Sequence, residues 1–313
     1  MTTIKTKYLS TKISDVRSVL HPRNPNAKKG DSGRVLIVGG SKDYVGAAAL
    51  AGLAAFRAGV DSVIIAAPEK VAYAINSFSA DLVTKKLSGE YFTEKHLKEI
   101  VKLSQNADVV LIGNGIGRNN KTDKFIKKLV SVLEKNKKPY VLDADAIKAA
   151  SLNDCKNAIL TPHAKELKIL LGNSGLDKLN KIKNINEKIK QIQKHFTKNN
   201  NNSIILLKGR IDYIVSKDKI RLNKTGNPGM AKAGTGDVLA GLVAGFLAQS
   251  KDNPNKDSAR FNSACAAAFI NGMLGDRLLA ERGGKKAVKA GVYSYIASDL
   301  LRDIKEILAK LKK

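Results

Sequence analysis

Short apolar runs recur along this 313-residue chain, and helix-patterned segments separate them. Arg34–Val38, Ser62–Ala67, Asp108–Ile112, Tyr140–Asp143, Ala158–Leu160 and Ser203–Leu207 read as strands. Helices are expected over Gly46–Ala58, Pro68–Ser77 and about Asp123–Lys135, with a helical region from Ala164 to His195. That alternation is the signature of a mostly parallel sheet wound on both faces. Hydrophobic content is 43%, aromatics are 5% and Trp is absent. The core is therefore built from Ala, Val, Ile and Leu, which suits buried parallel strands under helices. Tyr213–Ser216 and Ile220–Asn223 flank Lys217-Asp218-Lys219 as a hairpin. The remainder is helical, including Ser263–Leu279 and Leu300–Leu311. Met1–Lys29 is polar and weakly patterned, with a helix over Ile13–Leu20 and a loop through Pro22 and Pro25. It reads as an N-terminal extension, with order beginning at Gly30 and one α/β domain over residues 30–313.

Several function classes are disfavoured at once. Cys155 and Cys265 are the only cysteines, far apart and in no metal spacing. His21, His96, His163 and His195 are scattered, which argues against a His/Cys metal cage. No apolar signal core opens the chain and no stretch reaches membrane-spanning length, so a cytoplasmic setting is the default. Lys+Arg number 55 against Asp+Glu 28, a formal charge of +27. Nucleic-acid binding is one reading of such a charge. The lysines, however, are spread along helix faces with few aromatics between them. Solvated faces and steering of a polyanionic substrate are the expected roles.

Chemistry concentrates in Asn223–Gly241, where Gly226, Gly229, Gly234 and Gly236 precede an apolar helix, Val238–Ala248. A glycine-rich turn before a helix N-terminus presents free backbone N–H groups and the positive end of the helix dipole. Gly234, Thr235 and Gly236 thus form a candidate phosphate cradle. A carboxylate is not needed to bind an anion there. Asp237 either caps its helix or accepts a proton from a hydroxyl next to a phosphoryl group.

In doubly wound sheets ligands sit at the carboxyl ends of the strands. Gly39-Gly40-Ser41, Gly113–Gly117, Asp143, His163 and Lys208-Gly209 all fall there, which favours one shared site. Asp143 and Asp145 would orient a cation or cap the following helix, capping being the plainer role for Asp145. A P-loop is missing, and Gly113–Gly117 lacks the third spacing of the dinucleotide fingerprint, so a P-loop NTPase and a redox dehydrogenase are both disfavoured.

Taken in order, Gly30-Asp31-Ser32-Gly33-Arg34-Val35-Leu36-Ile37-Val38-Gly39-Gly40-Ser41, Gly46-Ala47, Gly113-Asn114-Gly115-Ile116-Gly117, Leu142-Asp143-Ala144-Asp145-Ala146, Leu160-Thr161-Pro162-His163-Ala164-Lys165-Glu166, Leu207-Lys208-Gly209 and Gly234-Thr235-Gly236-Asp237 closely resemble the NAD(P)H-hydrate dehydratase family. The match runs from about Gly30 to the C-terminus. The resemblance implies a ribokinase-like three-layer α/β/α fold. It implies phosphorylation of the C6 hydroxyl of the S-form of hydrated NADH or NADPH (NADHX or NADPHX) by ADP or ATP with magnesium, followed by loss of phosphate. Asp237 would be the base. Ala47, Gly115 and His163, with Asp237, would contact the hydrated nucleotide. Lys208, Gly209, Arg210, Ile211 and Asp212, with Gly236, would hold the adenine nucleotide. The family often has Thr where Asp212 stands, and a carboxylate sits badly beside phosphate. The space before Gly30 is too short for the epimerase domain that precedes many members, so a stand-alone dehydratase working with a separate epimerase is expected, as a homotetramer. A hydroxyethylthiazole or hydroxymethylpyrimidine kinase is the alternative; the Gly-Gly-Ser, Thr-Pro-His and Lys-Gly blocks together favour the dehydratase.

Overall fold

The computed structural model describes residues 8–312 apart from 21, 282, 284, 285, 287–289 and 292, so His21 lies outside the described residues. Its strands are β1 (Leu9–Ser10), β2 (Arg34–Val38), β3 (Ser62–Pro68), β4 (Val83–Leu87), β5 (Val109–Ile112), β6 (Tyr140–Leu142), β7 (Ala158–Leu160), β8 (Ile204–Leu207), β9 (Asp212–Val215) and β10 (Ile220–Asn223). They form one sheet in the order β1-β10-β9-β8-β7-β6-β5-β2-β3-β4. Strand β9 runs against both neighbours and the other pairings are parallel. Every strand but β9 therefore delivers its carboxyl end to the same side, the side where ligands bind in such sheets.

Alternation along the strands divides the interior in two. Val35 and Ile37 of β2 face one core, whereas Leu36 and Val38 face the other. The first core is covered by α1 (Ile13–Arg17), α2 (Val45–Ala58), α3 (Glu69–Asn76), α10 (Thr235–Gln249), α11 (Lys256–Glu281) and α12 (Ala297–Lys312). The second is covered by α4 (Leu97–Gln105), α5 (Asn120–Lys135), α6 (Asp145–Ala149), α7 (Ala164–Asn173) and α9 (Ile185–Lys198), with α8 (Asp177–Asn180) between the last two. The three-layer α/β/α arrangement expected from the sequence is the one observed.

Local chemistry explains where element boundaries differ from expectation. Helix α5 starts ahead of Asp123 because the Asn119 side chain accepts the N–H groups of Lys121 and Thr122, both at 2.9 Å. The helical region after Ala164 is split, since Gly175 adopts φ +70° and Asn184 caps a new helix. Strand β4 and helix α4 have no counterpart in the sequence reading. Strand β4 is an edge strand reading Val-Thr-Lys-Lys-Leu, too polar to resemble a core strand. Two elements ahead of Gly30 join the fold: β1 pairs with β10, and α1 packs the fully buried Val16 into the first core.

Helices α2 and α10 are pressed together through small residues. A methyl group on Gly241 would stand 2.2 Å from the Ala51 carbonyl oxygen, and one on Gly245 would stand 2.8 Å from Ala58 Cβ. This contact fixes the N-terminus of α10, which carries Gly234–Asp237, above the carboxyl ends of β5 and β6. Gly241→Ala is expected to destabilise the protein by about 1–3 kcal/mol through overpacking. Chemical denaturation measures this, and an unchanged midpoint would show that α2 can move aside.

Candidate active site

Four adjacent strands, β8, β7, β6 and β5, end in residues that meet. Asp143, following β6, is almost fully buried. Its Oδ1 accepts the Thr161 hydroxyl at 2.6 Å and the Lys208 ammonium at 3.0 Å. Its Oδ2 accepts Asn114 Nδ2 at 3.0 Å. Thr161 follows β7, Lys208 follows β8 and Asn114 follows β5. The β7 and β8 exits are also tied by a parallel bridge between His163 and Lys208.

The same Asn114 Nδ2 donates to Asp237 Oδ1 at 2.8 Å. Both of its N–H groups are thereby used, each on a carboxylate. Asn114 is fully buried, and its Oδ1 has no hydrogen-bond partner among the described residues. Gly39 and Gly40 close over its backbone: Gly40 N donates to the Asn114 carbonyl at 2.9 Å, and a methyl on Gly39 would lie 2.5 Å from that oxygen. Next to Asp143, Ala144 adopts φ +50°, a strained conformation for a residue with a side chain. Strain of this kind gathers at functional sites.

Asp237 is in the first turn of α10, whose N-cap is Gly234 at φ +89°. Its carboxylate turns to Asn114, across the site, and the N-cap itself has no side chain to contribute. Val238 N–H makes a bond within the helix, to the Gly234 carbonyl at 3.0 Å, so the N–H groups of Gly236 and Asp237 lie in the turn where donors lack helical acceptors. Thr235 is buried and its hydroxyl donates to the carbonyls of Met230 (2.8 Å) and Lys232 (2.9 Å). It braces the Gly234–Asp237 turn from beneath.

The electrostatics follow from burial. Desolvation, then the neighbouring Asp143 carboxylate, push Asp237 up to about 7, against the opposing Asn114 hydrogen bond and Lys208 charge. Burial alone would lower the Lys208 ammonium, but Asp143, Glu166 and Asp237 outweigh it and raise it. Burial raises the Glu166 carboxyl, and burial with Lys208 lowers the His163 imidazole.

The other expected residues fall into three positions. Ala47 and Gly115 meet: a methyl on Gly115, at φ +66°, would lie 3.0 Å from Ala47 Cβ. Gly115 adjoins Asn114, so this pair borders Asp237. His163 is half exposed and its Nδ1 accepts Lys165 N–H (3.1 Å) and Glu166 N–H (3.3 Å), while Glu166 Oε2 accepts the His163 backbone N–H at 2.9 Å. It caps α7, with Nε2 3.2 Å from Glu166 Oε1. In Lys208–Asp212, Gly209 and Arg210 are exposed and Ile211 is half-buried. Asp212 turns inward, accepting Gly209 N–H at 3.0 Å on Oδ1 and Asn223 Nδ2 at 2.9 Å on Oδ2. That carboxylate closes the turn. Gly236 sits against Lys208, with 3.3 Å between an added methyl and Nζ. Asp145 pairs with Lys148 at 2.7 Å in the first turn of α6.

Sequence reasoning gave no role to Asn114, Thr161 or Glu166. Their signal was available only as placement: each lies inside a motif at a strand end.

A family model described as NAD(P)H-hydrate dehydratase matches residues 35–295. The chain belongs to the NAD(P)H-hydrate dehydratase family. It is 40% identical over 295 residues to the bifunctional NAD(P)H-hydrate repair enzyme of Methanothermobacter thermautotrophicus, covering 91% of this chain and 51% of that protein. It is 33% identical over 265 residues to the ADP-dependent (S)-NAD(P)H-hydrate dehydratase of Cenarchaeum symbiosum, covering 84% of this chain and 86% of that protein. The chain spans about half the length of the bifunctional relatives it matches. The Bacillus subtilis ADP/ATP-dependent NAD(P)H-hydrate dehydratase, co-crystallised with ATP/Mg2+, shares the fold at a TM-score of 0.72 and 22% identity over 98% of this chain and all of that one. The dehydratase-family chain thus has the ribokinase-like fold. None of its described helices is long and apolar enough to cross a membrane.

Because folded Asp237 binds its proton more tightly than the unfolded chain does, stability falls as pH rises from the ordinary carboxyl range to about 7 and is level above. Asp237→Asn removes this effect. The variant is expected to gain stability relative to the parent with rising pH, most above pH 7, with the difference vanishing below about pH 4. Denaturation midpoints across that range check the sign; a constant difference would show that Asp237 is ionised throughout.

Proposed function

We propose that this chain restores hydrated NADH or NADPH to the reduced dinucleotide, using ADP or ATP. The observation that carries the reading is Asp237, a half-buried carboxyl poised near neutral pH in the first turn of α10 and held there by the buried Asn114. The family match and the named relatives supply the substrate class. In this reading Asp237 takes the proton of the C6 hydroxyl while that oxygen attacks the terminal phosphorus of the nucleotide, whose bond to the bridging oxygen breaks and releases AMP from ADP or ADP from ATP. The N–H groups of the Gly234–Asp237 turn and the Lys208 ammonium receive the charge on the transferred phosphoryl. The C6–O bond then breaks with its electron pair leaving on phosphate, the ring nitrogen supports the developing cation, and loss of a proton from C5 restores the double bond. Hydroxide would be a far poorer leaving group.

Ala47 and Gly115 border the hydrated ring, and Lys208–Ile211 with Gly236 lie on the nucleotide side. His163, with a half-exposed ring, lies with Ala47 and Gly115 on the side of the hydrated nucleotide. Asp212 shapes the turn from within. Among the described residues no three His, Cys, Asp or Glu side chains converge to cage a metal ion. Magnesium keeps waters and phosphate oxygens and needs one or two carboxylates, so this donor set fits an ion that arrives on the nucleotide. It would neutralise phosphate charge there, while Asp237 stays free to take the proton. The +27 charge steers the anionic reactants. The proposal extends to a cytoplasmic homotetramer supplied by an epimerase.

The deciding experiment incubates the protein with NADHX or NADPHX, magnesium and either nucleotide, and follows the return of reduced-nicotinamide absorbance. Full activity without nucleotide would sink the mechanism. Asp237→Asn keeps the shape and is expected to bind both ligands while losing about 10²- to 10⁴-fold in kcat, the range for a positioned general base. Retention of more than about a tenth of the turnover would remove Asp237 from that role.

The pH profile supplies a separate check. Activity of the parent should rise with pH through an inflection near 7, as Asp237 deprotonates. Asn114→Ala removes the hydrogen bond that opposes the rise, so the inflection should move to higher pH. An unmoved inflection would assign it to another group.

A further inference from the structure

Lys232 stands two residues before the cradle glycine Gly234, on a loop with little regular structure. Its ammonium turns back onto the chain. It donates to the backbone carbonyl of Tyr293 and, at 2.6 Å, to that of Tyr295, and it lies 5.2 Å from the centre of the Tyr295 ring. Carbonyl oxygens and an aromatic face are the surroundings of a bound monovalent cation. Here the cation is covalently part of the cradle loop.

The place it holds matters for the cradle. Tyr295 is fully buried, and its hydroxyl donates to Asn227 Oδ1 at 2.7 Å, at the start of the same loop. Two residues beyond Tyr295, Ala297 begins α12 and forms the wall behind Gly234: a methyl added to that glycine would lie 2.7 Å from Ala297 Cβ. Lys232 also offers its own carbonyl to the Thr235 hydroxyl at 2.9 Å. One residue therefore grips the wall with its side chain and the cradle's first helical residue with its backbone.

We infer that Lys232 is a positioning residue, a tethered cation that locks the Gly234–Asp237 turn against the 293–297 segment so that its N–H groups are aimed before a phosphoryl group arrives. This presupposes the phosphoryl-transfer chemistry proposed above. It assigns Lys232 no contact with substrate. Its contribution is to preorganisation, which raises kcat more than it lowers KM.

Chemical rescue tests it. In Lys232→Ala, kcat for hydrate dehydration should fall about 10- to 100-fold, the scale of an ångström-level misplacement, with smaller changes in KM. Ammonium, methylammonium or potassium chloride should restore kcat at least severalfold, whereas sodium chloride of equal ionic strength should not. The parent should respond to none of them. Thermal stabilisation by inorganic phosphate gives a second readout: present in the parent, lost in the variant and regained with ammonium. A variant kcat within about twofold of the parent, or a loss that none of the three cations relieves, overturns the inference. If the parent itself does not dehydrate the hydrate, the functional reading has failed, and the phosphate readout still decides on Lys232. Should Lys232→Ala not fold, Lys232→Met, which keeps most of the side-chain stem, is taken through the same measurements.

Discussion

The Asp143 carboxylate is the constraint on which the site depends. Thr161, Lys208 and Asn114 each bring it a donor from a different strand end. A buried carboxylate needs such partners, because a charge left unpaired in a low-dielectric interior costs several kcal/mol. Satisfying it therefore fixes four neighbouring loops relative to one another. Parallel sheet order makes this possible: β5, β6, β7 and β8 are consecutive in the sheet, and their exits form a row. Asn114 then passes the constraint from the sheet to the helical layer, since its second N–H holds Asp237 on α10.

That transfer demands accurate placement of α10. The chain achieves it with Gly and Ala where α2 and α10 cross, so the two backbones approach closely. The same choice explains a composition rich in small apolar residues and poor in aromatics. Large side chains between the helices would lift the Gly234–Asp237 turn off the strand ends. Interiors are packed too tightly to absorb such a change without cost.

The parts of this architecture that announce themselves in sequence are those with local causes. Apolar runs gave the central strands, and glycines before an apolar helix marked the Gly234–Asp237 turn at the start of α10. Lys208 and Gly115 were legible because they follow strands. The role of Asn114 was not, because it arises from two carboxylates 29 and 123 residues away. Glu166 was hidden by its likeness to an ordinary first-turn acid, and it does serve the cap of α7 through His163. Asp212 illustrates the opposite case. Its oddity beside phosphate was visible in the sequence, and the fold resolves it by turning the carboxylate into the Gly209 turn. Strand β4 was invisible because an edge strand with lysines carries no strong apolar signal.

Asp143, Glu166 and Asp237 place three carboxyl groups around one lysine, which sets a problem for any phosphoryl chemistry. Under the proposed reaction, the negative charge that would make Asp237 a useful base would also repel an incoming polyphosphate. The proton that Asp237 holds up to about pH 7 eases the first part of this conflict, because the site then carries less charge than its carboxyl count implies. Lys208 and the positive end of the α10 dipole offset the rest. Once a phosphoryl group is bound, its own charge favours the protonated form of Asp237 further. Under the proposed reaction, the group that creates the demand for a base thereby strengthens that base as it arrives. Proton acceptance and phosphoryl transfer would then be coupled along the hydrogen-bonded path from Lys208 through Asp143 and Asn114 to Asp237.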